Sequence, residues 1–298
     1  MIPSIFPKKE SINMVICTTI LGSTKDFSCL ITDLTPDRNS FGMYFPLYWY
    51  EENKNRQKSL FDEETGEDYI RRDGITDWIL KEVRSRYGTR EITKEMIFYY
   101  VYGLLHSEDY RQRFAADLKK SLPRIPIVER VEDFMDFYKY GKKLADLHLN
   151  YETVAPCPGV VVKGDRNVTY DTKRDPATGG FIEDTTNSDD YDYFHIWDKM
   201  RFKSKADKST IIYNGNITIE NIPGKAYEYI VNGKSAIEWI VERYCVSRDK
   251  KSLIVNDCND WGKEHHNPRY ILDLLLSVIN VSVQTVDIVK ALPKLKFE

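Results

Sequence analysis

The chain has 298 residues, 42% hydrophobic and 13% aromatic, which excludes a disordered polymer and allows one large domain or two modest ones. Lys and Arg number 43 against 46 Asp and Glu, a net charge of −3, so no global basic field exists and any nucleic-acid contact must rest on local patches. Five scattered cysteines, an N-terminus without a basic n-region and apolar runs expected to fall short of a membrane span point to a cytoplasmic chain with reduced thiols, no signal peptide and no membrane partner.

In chain order, residues 12–20 (INMVICTTI) and 27–32 (FSCLIT) are β-branched and apolar around a Gly22-Ser23 turn, which predicts two strands. FPLYWY at 45–50 predicts another. Segment 51–74 is charged, contains Gly66 and Gly74, and is expected to be an exposed loop. Thr76 can cap a helix that stops at Gly88, and Thr93 can cap KEMIFYYVYGLL. Ser107-Glu108-Asp109 opens a further helix that Lys119-Lys120 closes, with acids first and bases last to suit the helix dipole. Pro123 and Pro126 forbid continuation, so 93–121 is predicted as a helical hairpin with Pro-Arg-Ile-Pro as a stiff extended exit. Residues 130–149 carry apolar side chains at helical spacing.

The pattern changes at Pro156-Cys157-Pro158-Gly159. Short β runs follow: VVVK at 160–163, VTY at 168–170, IIY at 211–213 and ITI at 217–219. Helical character returns at SAIEWIVERY (235–244) and in the final stretch, 267–292. The expected fold is α+β, with a strand-plus-helix part over 1–155 and a β-rich part with C-terminal helices over 156–298, the two sharing one core or not.

Charge is segregated in the second part. Glu183, Asp184, Asp189, Asp190, Asp192 and Asp198 fall in a segment without Lys or Arg, read as a polar loop. Directly after it come Lys199, Arg201, Lys203, Lys205 and Lys208 against Asp207 alone. Neighbouring blocks of this kind are as often two solvated loop faces as a binding site. With Lys163, Arg166, Lys173 and Arg174 on nearby β loops, the basic block is the candidate DNA-binding set, because Lys and Arg on a β scaffold can meet phosphates and guanine edges.

Catalytic patterns are weak. Asn267-Pro268-Arg269-Tyr270 invites comparison with the Asn-Pro-Pro-Tyr loop of amino-methyltransferases, but Arg269 replaces the second proline and no Gly-rich cofactor loop occurs, so Asn267 is expected to cap a helix. Cys258, His265 and His266 lack the CxxC partner of a structural zinc site. His106, His148 and His195 are isolated in sequence and read as ordinary histidines. No P-loop or GxGxxG is present, and the 183–198 acids lack the strand and Glu-x-Lys frame of a common nuclease. No catalytic group, metal or cofactor is expected.

Long stretches resemble one family: STKDFSCLITD (23–33), FPLYWYE (45–51), YVYGLLHSEDYRQRFAADLKKSLPRIP (100–126), WDKMRF (197–202), STIIYNGNITIENIP (209–223), NGKSAIEWIVERY (232–244) and NPRYILDLLLSVINVSV (267–283). They are similar to the C-terminal target-recognition, or specificity, domain of type ISP restriction-modification enzymes. The resemblance covers nearly the whole chain. It implies a non-catalytic domain that recognises an asymmetric duplex DNA sequence and presents it to an N6-adenine methyltransferase, in a polypeptide that also carries nuclease and helicase parts. None of those parts' motifs is present here. The resemblance also implies that the 93–121 hairpin docks and spaces, with the proline exit aiming the next segment. It does not say which residues read bases. The competing expectation is a protein-interaction scaffold that docks through aromatic surfaces such as FPLYWY and the 93–114 helices without touching DNA.

Overall fold

The computed structural model describes residues 4–36, 42–53, 68–166, 168, 172–174, 181–184 and 188–295, with backbone alone at 172–174 and 181–184. The chain divides into two units: Met1–Leu149 with Asp287–Glu298, and Asn150–Val286. Both mix helices with small antiparallel sheets, an α+β fold.

In the first unit, β1 (Val15–Thr18) is buried at every position because it is the middle strand of a sheet between β2 (Cys29–Thr32) and β3 (Met43–Pro46). The FPLYWY run is two strands rather than one. Leu47 buries its side chain and donates its N–H to Met14 O at 2.7 Å, and after it β4 (Tyr48–Glu52) pairs instead with β5 (Tyr69–Asp73). The expected 51–74 loop therefore contains a strand, while its 54–67 part lies outside the described residues. The charge of β5 disguised it. Its side chains face solvent, and cross-strand pairs hold it: Arg71 over the Tyr48 ring at 4.3 Å and Arg72 Nε on Glu51 at 3.1 Å.

The helix starts follow local chemistry. Thr76 caps α1 (Asp77–Tyr87), which ends at Gly88 with φ 64°, and Thr93 caps α2 (Lys94–His106). Ser107 caps α3 (Glu108–Arg113), but the expected single helix breaks at Phe114 and resumes only as the short α4 (Ala115–Leu118). Nor does α2 find its main partner there. It packs against α5 (Val131–Leu149) in the same direction: Tyr100 stacks on Phe134 at 4.5 Å, and Tyr102 OH meets His148 Nδ1 at 2.6 Å.

Parallel helices need a return crossover, and Pro-Arg-Ile-Pro supplies it. Prolines lack N–H groups, and the carbonyls of an extended segment need donors. Three tyrosine hydroxyls provide them: Tyr110 to Arg124 O at 2.8 Å, Tyr100 to Pro126 O at 2.6 Å and Tyr87 to Val128 O at 2.5 Å. The strap thus runs back along α2 and delivers the chain to the start of α5.

The helices touch through glycines. A Cβ on Gly141 would lie 2.0 Å from Tyr99 O, and one on Gly103 would lie 2.4 Å from Phe137 O, both backbone atoms that cannot swing aside. Helix propensity favours Ala over Gly by about 1 kcal/mol, but separating two packed helices costs more. Gly141→Ala is expected to destabilise the first unit by about 3 kcal/mol, read as a lowered thermal midpoint. Gly215→Ala, with open space around it, should change little.

The α2–α5 contact also encloses a polar group of residues. His106 and His148, far apart in sequence, have ring centroids 5.6 Å apart and are almost wholly buried. His106 Nδ1 lies 2.9 Å from Tyr102 O, an acceptor only, so that nitrogen carries the proton. Cys29 Sγ is 3.5 Å from His106 Nδ1 and from Arg111 Nη2. Burial holds the Cys29 thiol above its ordinary range despite Arg111, so it is a packed neutral thiol rather than an activated one.

The second unit begins with β6 (Val161–Lys163), then β7 (Thr172–Arg174) and β8 (Phe181–Asp184), which pair with each other. The acidic segment expected as a loop contains the end of β8 and α6 (Ser188–Phe194); Asp189 and Asp190 fall in the helix's first turn, where the dipole favours them, and Phe194 anchors it in the core. Next come β9 (Arg201–Phe202), β10 (Ile211–Ile212) and β11 (Thr218–Glu220), giving a four-stranded sheet in the order β6-β11-β10-β9. Of the expected VTY strand only Val168 is described. The hairpin β12 (Ile230–Val231) and β13 (Lys234–Ser235) turns through Asn232 and Gly233, both at positive φ. It leads into α7 (Ala236–Arg243), whose capping box joins Ser235 and Glu238. A second hairpin, β14 (Ser247–Arg248) and β15 (Val255–Asn256), precedes α8 (Asp260–Glu264).

The final stretch is one helix, α9 (Tyr270–Lys290). Against the expectation that no apolar run reaches span length, α9 is long and apolar enough to cross a membrane. Its apolar side chains have another use. Leu272, Leu275 and Ile279 pack with Ile211, Ile217 and Ile219 in the second unit's core, and Ile288 belongs to the core of the first.

Candidate nucleic-acid interface

The basic block forms one wall of a groove in the second unit. β9 and β10 pair antiparallel, so residues 203–210 are their connecting loop, and the loop is built by its own polar groups. Asp207 Oδ1 accepts from Ser209 N at 3.0 Å and from Ser209 Oγ at 2.6 Å, while Ser204 Oγ accepts from Asp207 N at 2.9 Å. Across from it stand the Gly233-Lys234 turn and α7. Together they line a groove of about 900 Å³ that includes Lys199, Arg201, Lys205, Lys208, Lys234 and Glu238.

The cations differ in role. Lys199 and Lys205 are exposed and form no ion pair among the described residues. Arg201 pairs with Asp198 at 2.5 Å, both well exposed, and Lys203 reaches Asp207 only at 3.9 Å; exposed pairs of this kind are weak and a phosphate can displace them. Lys208 is a pin. Its Nζ lies 2.7 Å from Glu238 Oε1 and within 5.8 Å of the Tyr227 ring, and Tyr227 OH donates to Lys208 O at 2.6 Å. Burial acts to raise the Glu238 carboxyl, but hydrogen bonds from Lys208 and Ser235 outweigh it and hold it at about 2. Met200, interleaved with these bases in sequence, is core.

The remaining candidates are elsewhere. Lys163 is on β6, the opposite edge of the sheet from β9, and pairs with Glu220 at 2.8 Å. Arg166 lies 3.5 Å over the Tyr193 ring with Asp190 at 3.7 Å. Lys173 and Arg174 are on β7, where side chains are not described. Lys234 was not singled out from the sequence, although the Asn232-Gly233 pair is a hairpin signal that places it at a turn. Arg269 faces Asp165 and bonds Asp273 at 3.1 Å, and Asn267 Oδ1 accepts from Arg269 N at 3.1 Å at the entry to α9, so the Asn-Pro-Arg-Tyr stretch is structural. His265 stacks on Trp261 at 3.9 Å. His195 lies against Asn259 and packs at 4.1 Å on Trp197, which is 68% exposed.

The Type ISP C-terminal specificity domain model matches residues 1–274. No curated protein matches the chain. Among solved structures, the chain is similar to the ATP-dependent Type ISP restriction-modification enzyme LlaBIII bound to DNA, at 36% identity and TM-score 0.78, covering 99% of this chain and 17% of that one. It is similar to a nuclease-deletion mutant of the Type ISP enzyme LlaGI in complex with a DNA substrate mimic, at 35% identity and TM-score 0.72, covering 99% and 22%. It is also similar to DrdV in a complex with DNA, at 30% identity and TM-score 0.73, covering 99% and 26%. The chain thus spans about a quarter or less of the length of these proteins.

Proposed function

The chain belongs to the Type ISP C-terminal specificity domain family, and from that premise we propose that it recognises an asymmetric duplex DNA sequence through its second unit. In this reading it is non-catalytic and cytoplasmic. It presents the target to an N6-adenine methyltransferase in a polypeptide whose nuclease and helicase parts do the remaining chemistry, and it needs no cofactor of its own. The observation that carries the reading is the groove, where Lys199 and Lys205 stand unpaired beside the loosely held Arg201 and Lys203 in a chain that is net acidic. Phosphate contact supplies most non-specific affinity for DNA, and a concave basic surface concentrates it.

The scaffold reading has less support. Tyr48 packs against the first unit's core, and Phe98, Tyr99, Tyr100 and Tyr102 are buried within it, so most of the aromatic surface it needs is not available. Salt separates the two readings. A groove that neutralises about four phosphates gives a log–log slope near −4, on the order of a hundredfold weaker binding between about 50 and 200 mM salt. Fluorescence anisotropy on a labelled mixed-sequence duplex measures it. A slope near zero, or no binding at low salt, would remove DNA recognition by this chain.

A further inference from the structure

The hairpin of β14 and β15 stands clear of the second unit's core. All ten residues from Ser247 to Asn256 are exposed, so no core holds its shape. Its tip and return strand nevertheless present three consecutive aliphatic side chains to solvent: Leu253 at 57%, Ile254 at 60% and Val255 at 55%. Isolated two-stranded hairpins are marginal in water, and exposed aliphatic runs of this kind mark interaction sites.

Leu253 carries a second signal. Its φ is 61°, in the left-handed region that a branched side chain disfavours. The tip is tied to keep it there. Asp249 Oδ1 accepts from Lys251 N at 3.0 Å, Ser252 N at 2.7 Å and Ser252 Oγ at 2.9 Å, and Leu253 N donates to Asp249 O at 3.0 Å. Strained backbone held by dedicated hydrogen bonds is a pointer to function when the side chain it displays has no structural use.

Charge indicates the partner. Asp249 spends its carboxylate on the tip. Arg248, Lys250 and Lys251 form no ion pair among the described residues, so the aliphatic run is bordered by unneutralised cations. The root of the hairpin adjoins the basic groove: Val246 N donates to Asp198 O at 2.8 Å, and Cys245 bridges Lys199.

Building on the DNA-recognition reading, we propose that the Ser247–Asn256 hairpin is a second DNA-contacting element, with Arg248, Lys250 and Lys251 on phosphates and Leu253 as an apolar wedge against a base step. Cations flanking an inserted aliphatic side chain are the chemistry by which proteins unstack and bend a duplex. The groove then holds the backbone while the hairpin senses how easily the sequence deforms, a form of specificity that needs no hydrogen bond to a base edge.

The test uses the full chain and a mixed-sequence duplex carrying aminopurine, whose fluorescence rises when bases unstack. Leu253→Gly removes the wedge but suits the backbone, so its thermal midpoint should equal or exceed that of the parent chain. Its affinity should fall on the order of tenfold and its aminopurine signal should vanish. Lys250→Ala with Lys251→Ala should reduce the salt slope by about 2. Unchanged affinity, slope and fluorescence in both variants, with groove variants weakened, would overturn the hairpin proposal and leave DNA recognition standing. Failure of the unsubstituted chain to bind any duplex at low salt would overturn both.

Discussion

Lowering the pH from 7 to 5 is expected to destabilise the first unit by about 4 kcal/mol, because His106 and His148 are buried neutral. Burial depresses both, with Arg111 adding to it: His106 falls well below its ordinary 6.5 and His148 to about 3. In the unfolded chain both titrate near the ordinary value, so between roughly pH 6.5 and 3 the unfolded state binds more protons than the folded one. Stability is therefore full above 6.5 and is lost as pH falls towards the folded values. Each histidine contributes a slope of up to about 1.4 kcal/mol per pH unit. Ionised carboxylates, whose ordinary range lies near 4, contribute little above pH 5. Thermal melts at the two pH values measure the effect. The pair His106→Asn and His148→Gln should flatten the dependence even if it lowers stability at pH 7. An unchanged slope in that variant would refute the assignment.

Reversing three charges in the groove is the second large effect. Lys199→Glu, Arg201→Glu and Lys205→Glu together should weaken duplex binding about a thousandfold, about 4 kcal/mol, since each removes a phosphate contact and adds a repulsion. All three side chains are exposed, so the thermal midpoint should stay within a few degrees. Lys163→Glu and Arg166→Glu are the controls. Neither residue lines the groove: Lys163 is on β6 at the sheet's other edge and Arg166 lies over Tyr193 of α6, so affinity should stay within about threefold. Equal losses in both sets would mean that net charge, not the groove, governs binding.

What the sequence disclosed was mostly local. The caps at Thr76, Thr93 and Ser107 and the left-handed stop at Gly88 depend on residues within one turn, and they stand where the residue types put them. The partnership of α2 with α5 was not legible, because it rests on two glycines 38 positions apart and on a crossover whose carbonyls are served by tyrosines from three helices. β5 was hidden because its stability comes from a partner strand rather than from a buried face. The same division holds in the second unit. Lys199 to Lys208 could be read as a group because one short stretch, β9 with the residues before it and the loop after it, holds them, whereas the acids paired with Lys163, Arg166 and Lys208 are 24 or more positions away. The 247–256 hairpin escaped notice since short polar-flanked aliphatic runs usually turn inward.

The most direct test of the central claim is selection from a randomised duplex library at low salt, with this chain alone and with a type ISP methyltransferase part joined to it. Sequence recognition predicts enrichment of one asymmetric motif, the same in both experiments or confined to the joined form if the two parts clamp the duplex together. Recovery of no motif from either would contradict it.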